Sequence, residues 1–130
     1  GHYYFRDNYR ADSGMIAALT VLEEMATKGS SLSEMRVSLE RYSDSGEVNS
    51  KVQNTAGVLK FVENAYQGRA EVDHLDGLTL DFGDWWFNLR PSNTEPLLRL
   101  NLEAATDDEV SRRSHEVLAV VAKADSEEGR

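Results

Sequence analysis

Seven consecutive residues, Arg90-Pro91-Ser92-Asn93-Thr94-Glu95-Pro96, gather a permanent cation, three short hydrogen-bonding side chains and both prolines of the chain. A guanidinium fork meets the oxygens of a phosphate with parallel N–H donors, and Ser, Asn and Thr can reach the oxygens that remain. Proline fixes its own φ and restricts the residue before it, so a loop bracketed by Pro91 and Pro96 loses little entropy on closing around a ligand. The stretch reads as an anion clamp. For an arbitrary loop of this composition a polar hairpin with no ligand is the commoner reading, because turns select Ser, Asn and Pro in any case. Loop chemistry alone leaves both open.

Other residues capable of chemistry are sparse. His2, His74 and His115 are scattered without ligand spacing, so no metal site is expected. Asp73, Asp76, Asp81 and Asp84 are explained more simply by turns and a solvated sheet edge than by a cation. The absence of cysteine excludes disulfides and thiolate metal sites and fits an intracellular protein. With 14 Lys+Arg against 23 Asp+Glu the net charge is −9, and no basic block offsets it. Nucleic acid and anionic membrane are therefore poor partners. No apolar run approaches the roughly 18 residues that span a bilayer, so a soluble, cytoplasmic protein is expected. The start Gly1-His2-Tyr3, without an initiator methionine, suggests a piece of something longer.

The clamp needs strands to hold it. Trp85 to Leu89 and Leu97 to Glu103 alternate apolar and polar residues on either side of the loop, as an antiparallel pair does. Val72 to Leu75 and Leu78 to Phe82 form a further hairpin, with Asp76-Gly77 suited to a type I′ turn. Glu47 to Gln53 alternates as a first strand. Asn54 or Thr55 caps a helix that carries Val58, Leu59, Val62, Ala65 and Tyr66. Thr106-Asp107-Asp108-Glu109 opens a last helix that carries Val110, Val117, Leu118 and Val121. Ahead of this unit stand an aromatic run, Tyr3 to Phe5, a helix from about Ser13 to Lys28 stopped by Gly29, and a shorter helix behind the capping box Ser31-Leu32-Ser33-Glu34. Ser43 to Gly46 is a turn and the best boundary. The fold class is α+β: an antiparallel sheet of about four to five strands with two helices on one face, preceded by a strand-helix-helix segment. Of Trp85 and Trp86, alternation buries one and leaves the other partly exposed.

The loop string, with Leu98-Arg99 and Glu103-Ala104 after it, resembles the phosphate-binding loop of the phosphohexomutase superfamily, in its phosphomannomutase/phosphoglucomutase branch. Asp76-Gly77 and Trp85-Trp86 resemble the same family's final domain. Gly1-His2-Tyr3-Tyr4-Phe5, Asp12-Ser13-Gly14-Met15 and Ala17-Ala18-Leu19 are similar to the end of its third domain. The resemblance implies residues 1–43 as a remnant of the α/β third domain, 44–122 as the TBP-like C-terminal phosphate-binding domain, and 123–130 as a flexible tail.

The same resemblance implies a role. Family members move a phosphoryl group between O1 and O6 of a mannose or glucose phosphate, through a phosphoserine in the first domain and a metal, usually Mg2+, in the second. Neither the nucleophile context nor an Asp-Gly-Asp-Gly-Asp-Arg string occurs here, so the chain alone is expected to be inactive and to hold no cofactor. Arg90, Ser92, Asn93 and Thr94 match the residues that hold the substrate's non-reacting phosphate. His2 matches the histidine that closes the sugar loop, with a sugar contact or an acid/base part in the intact enzyme. Expected partners are the hexose phosphate, the remaining parent domains, and a second copy bound through residues 1–42. The competing class is a small α+β regulatory or interaction module with no sugar phosphate, since such sheets host many functions.

Overall fold

The computed structural model describes residues 1–37 and 39–128, and its contacts separate into a unit that ends at Arg41 and one that begins at Tyr42. In the first, β1 (Tyr4–Phe5) pairs antiparallel with β2 (Ala11–Asp12). The expected segment had one strand. The second arises because Tyr9 and Arg10 both take positive φ, 53° and 56°, and turn the chain back. Helix α1 (Gly14–Lys28) starts on Ser13, whose Oγ accepts from the Ile16 N–H, and stops on Gly29 at φ 63°. Helix α2 (Leu32–Val37) starts on the full capping box: the Ser31 N–H donates to Glu34 Oε2 at 2.8 Å, and the Glu34 N–H donates to Ser31 Oγ at 3.3 Å. Those hydroxyl and N–H contacts hold the Glu34 carboxyl below its ordinary value of 4.5.

The second unit is a six-stranded antiparallel sheet covered by two helices. Its strands are β3 (Ser43–Asp44), β4 (Val48–Lys51), β5 (Glu71–Asp73), β6 (Leu78–Asp81), β7 (Trp86–Pro91) and β8 (Leu97–Ala104). The order across the sheet is β3-β8-β7-β6-β5, with β4 also on β8. Six strands exceed the four to five expected because β8 is long enough for two partners. Its end at Glu103 and Ala104 pairs with β3, and its start from Leu97 to Leu100 pairs with β4. The turn expected at Ser43 to Gly46 thus contains a strand, and only Gly46 takes positive φ.

Helix α3 (Thr55–Ala65), capped by Asn54, and helix α4 (Asp107–Glu128) pack on each other, α3 against β6 and α4 against β8. The face they cover carries Leu78, Leu80, Phe87, Leu89, Leu98, Leu100 and Leu102, all essentially inaccessible. Each such side chain is worth about 1.5–3 kcal/mol of transfer free energy, an upper bound. Trp85 is buried and Trp86 half-buried, as alternation requires. Tyr66, at the C-terminal end of α3, has its hydroxyl pushed up to about 12, first by burial and then by the nearby Glu116 carboxylate.

Two expectations need correction here. The tail expected from residue 123 is regular helix through Glu128, because Ala124 is fully buried and the Asp125 carboxylate accepts the Gln53 N–H at 2.7 Å. The end of that tail, residues 129 and 130, lies outside the described residues. The β5–β6 connection is not a two-residue type I′ turn. Asp73 pairs with Thr79, which leaves five residues between them, and only Gly77 has positive φ, 82°. Among the described residues no helix is long and apolar enough to cross a membrane.

Candidate functional site

Period-two alternation sends the polar side chains of β7 and β8 to the sheet face away from the helices. The register places Asn88 opposite Asn101 and Arg90 opposite Arg99. Two arginines therefore stand side by side at the end of the hairpin, where like charges directly opposite each other are unfavourable. Each has a carboxylate. Arg90 Nη1 lies 3.2 Å from Asp76 Oδ2, and Arg99 Nη1 lies 3.5 Å from Glu47 Oε2. Arg99 Nε is buried with no hydrogen-bond partner.

The loop between the strands is set by its own backbone. The Ser92 N–H donates to the Leu97 carbonyl at 2.9 Å, and the Leu97 N–H donates to the Glu95 carbonyl at 2.8 Å. Ser92 Oγ and Thr94 Oγ1 are 3.4 Å apart, and the Thr94 N–H points at Ser92 Oγ from the same distance. Because the Ser92 N–H is committed and Pro91 and Pro96 have none, side chains supply most of the donors this loop can offer. Arg90, Ser92, Asn93 and Thr94 line one open cleft of about 450 Å³, with Asp76, Gly77 and Arg99 on its other walls.

Gly77 explains why the β5–β6 loop reaches this cleft. A Cβ there would fall on the Leu89 carbonyl oxygen and within 2.9 Å of the Arg90 Cα. Only glycine allows the loop to lie against the β7 backbone at that point. Asn88 Nδ2 fixes it further by donating to the Asp76 carbonyl at 2.7 Å and to Thr79 Oγ1 at 3.0 Å. The Asp76 backbone is thereby fixed at a point from which its carboxylate meets the Arg90 guanidinium.

Four predicted site residues thus share a cleft, and His2 belongs to the other unit. It is exposed, stacks on Tyr4 with centroids 6.4 Å apart, and has Nε2 3.9 Å from Asp12 Oδ2. Arg99 is the residue that sequence reasoning missed. The signal for it was the hairpin register, since pairing across a six-residue loop puts Arg90 opposite Arg99. Among the described residues no group of three or more His, Cys, Asp or Glu is placed to hold a metal ion.

Chemically, the cleft offers two guanidinium groups, two hydroxyls and an amide, with no nucleophile paired to a base. Such a set offers the kinds of donor that a multivalent oxyanion requires.

Comparison with known proteins agrees along the chain. The family model described as phosphoglucomutase/phosphomannomutase, C-terminal domain, matches residues 47–120, and the one described as alpha/beta/alpha domain III of the same proteins matches residues 1–42. A phosphomannomutase of Salmonella montevideo is 46% identical over 108 residues, 82% of this chain and 24% of that protein. One from Methanocaldococcus jannaschii is 34% identical over 125 residues, 96% of this chain and 28% of that protein. The crystal structure of a phosphoglucomutase/phosphomannomutase family protein from Burkholderia thailandensis matches with a TM-score of 0.70 at 25% identity, covering 95% of this chain and 27% of that one. The chain spans about a quarter of the length of the curated relatives it matches.

Proposed function

We propose the following role for this chain, which belongs to the phosphoglucomutase/phosphomannomutase family: its second unit is the phosphate-holding lid of a hexose phosphomutase. Arg90, Ser92, Asn93 and Thr94 grip the phosphate that does not react, and Arg99 adds a second cation from the facing strand. The observation that carries this reading is the convergence of those side chains on one cleft, with two arginines opposite each other in register. In the intact enzyme the transferred group would move between O1 and O6 of a mannose or glucose phosphate. Residues outside this chain would supply the phosphorylated nucleophile and hold the metal.

Binding energy spent on a remote phosphate positions the reacting end of the substrate and stabilises a closed site. A clamp made of guanidinium groups and small polar side chains reads the phosphate and not the sugar ring. It therefore accepts a bisphosphorylated intermediate in either orientation, which a transfer between two ends of one sugar requires. Residues 1–43 are read as the closing part of the preceding α/β domain. There His2 contacts the sugar or moves a proton once the rest of that domain surrounds it.

Titrating the chain with mannose 1-phosphate or glucose 1-phosphate tests the clamp. Amide signals of Ser92 to Thr94 should shift, and Arg90→Ala should abolish the shift. Loss of that charged contact costs about 1.5–3 kcal/mol of substrate binding in a full-length enzyme. Unchanged substrate KM and kcat in the full-length Arg90→Ala enzyme would refute the role.

A further inference from the structure

The cleft read above as a phosphate clamp already contains an anion of the chain's own. Asp76 lines it together with Ser92, Asn93 and Thr94, and its Oδ2 meets Arg90 Nη1 at 3.2 Å. With Glu47 on Arg99, the two guanidinium groups are matched by two carboxylates. A phosphate dianion entering this arrangement finds no net positive charge unless one carboxylate gives way.

We propose that Asp76 is the clamp's resident counter-ion: it holds Arg90 until phosphate arrives, is displaced by it, and by competing for the guanidinium lowers affinity and speeds release. The proposal rests on the phosphate-clamp reading of this site. Three observations favour displacement. The contact is a single N–H···O approach by a carboxylate that is 69% exposed, the kind of surface pair that exchanges at little cost. The backbone beneath it is fixed by Asn88 and by the fit of Gly77 against Leu89 and Arg90, so the carboxylate can swing by side-chain rotation alone. After swinging it stays close, and its repulsion of the bound dianion persists. Arg90 does not need Asp76 for its direction, because its place in β7 opposite Arg99 already sends the guanidinium to the cleft. A clamp that must let go of one phosphate and take the other benefits from such a competitor.

The test titrates the 130-residue chain with inorganic phosphate at neutral pH and constant ionic strength. Ser92 to Thr94 amide signals report affinity, and their line shapes report release. Asp76→Asn keeps the shape and the turn preference while removing the charge. It should tighten Kd on the order of fivefold and slow release, as loss of an exposed pair and of one nearby like charge implies. Asp76→Ser should move in the same direction. Binding by the variants but not by the parent chain would also support the proposal. Equal or weaker binding by Asp76→Asn, or opposite shifts in the two variants, would overturn it and leave the clamp reading standing. Absence of phosphate binding in all three proteins would remove the clamp reading and the proposal together.

Discussion

The two units start their helices with the same devices and differ in what those helices cover. In the first, α1 has a serine cap and a left-handed glycine stop, and α2 has a reciprocal capping box, yet none of its described residues is buried. Met15, Leu19 and Leu22 of α1 stay exposed at 76%, 59% and 58%. In the second, α3 and α4 close over Phe87, Leu100 and their neighbours, which are inaccessible. Caps satisfy helix ends, but a helix of this length is marginal in water without a packed face. An apolar stripe is therefore a demand for a partner, met in one unit by the sheet beside it. In the other, no described residue of the unit meets that demand, and the stripe stays exposed.

Core truncation should separate the units most strongly. Phe87→Ala removes a fully buried ring and should cost about 3–5 kcal/mol in denaturant unfolding of the second unit. Leu22→Ala should stay within about 0.5 kcal/mol, as surface substitutions do. Equal costs would mean that the α1 stripe is covered, and the contrast would fail.

Glycine substitutions sharpen the comparison at a smaller scale. Gly77→Ala places a methyl group on the β7 backbone at a φ of 82° and should destabilise by about 1–3 kcal/mol. It should also disturb the Asp76–Arg90 pair, which arginine side-chain signals would show. Gly14→Ala meets nothing within 4 Å and lies in α1, so it should be neutral or stabilising by up to about 1 kcal/mol.

The same contrast explains what could be read from sequence. Ser13, Gly29, Ser31-Glu34, Asn54 and Thr106 act on neighbours three or four positions away, so the helix starts and the stop of α1 were visible. The one-sided strands were visible for the same reason. Features fixed by remote partners were not: the two-residue strand β3 exists only because β8 extends past β4, and α4 outruns its predicted end because Ala124 and Asp125 meet groups far away in sequence. The β5–β6 register was missed because Asp76-Gly77 suggested a local turn, whereas Gly77 is used for a close approach to β7. At the site, the loop string was legible residue by residue. Arg99 and the Asp76 carboxylate were not, since each enters the cleft through cross-strand geometry.

The smallest expected effect concerns the two capping sequences. At α2 the Glu34 carboxylate reaches back to the Ser31 hydroxyl and N–H. At α4 the Glu109 N–H donates to Thr106 Oγ1, but the Glu109 carboxylate turns to Arg112 instead. Only the α2 box depends on a carboxylate. Since its Ser31 contacts hold the folded carboxyl of Glu34 below 4.5, the folded form binds fewer protons than the unfolded one in that range. The contribution is present above 4.5 and is lost as pH falls through the lowered folded value. From pH 7 to pH 3, amide signals of Ser31 to Glu34 should move toward unfolded positions before those of Thr106 to Glu109. Ser31→Ala should bring the Glu34 titration back toward 4.5. Simultaneous loss at both helix starts would mean that the acid transition is global, and that the first unit's helices are held by more than their own ends.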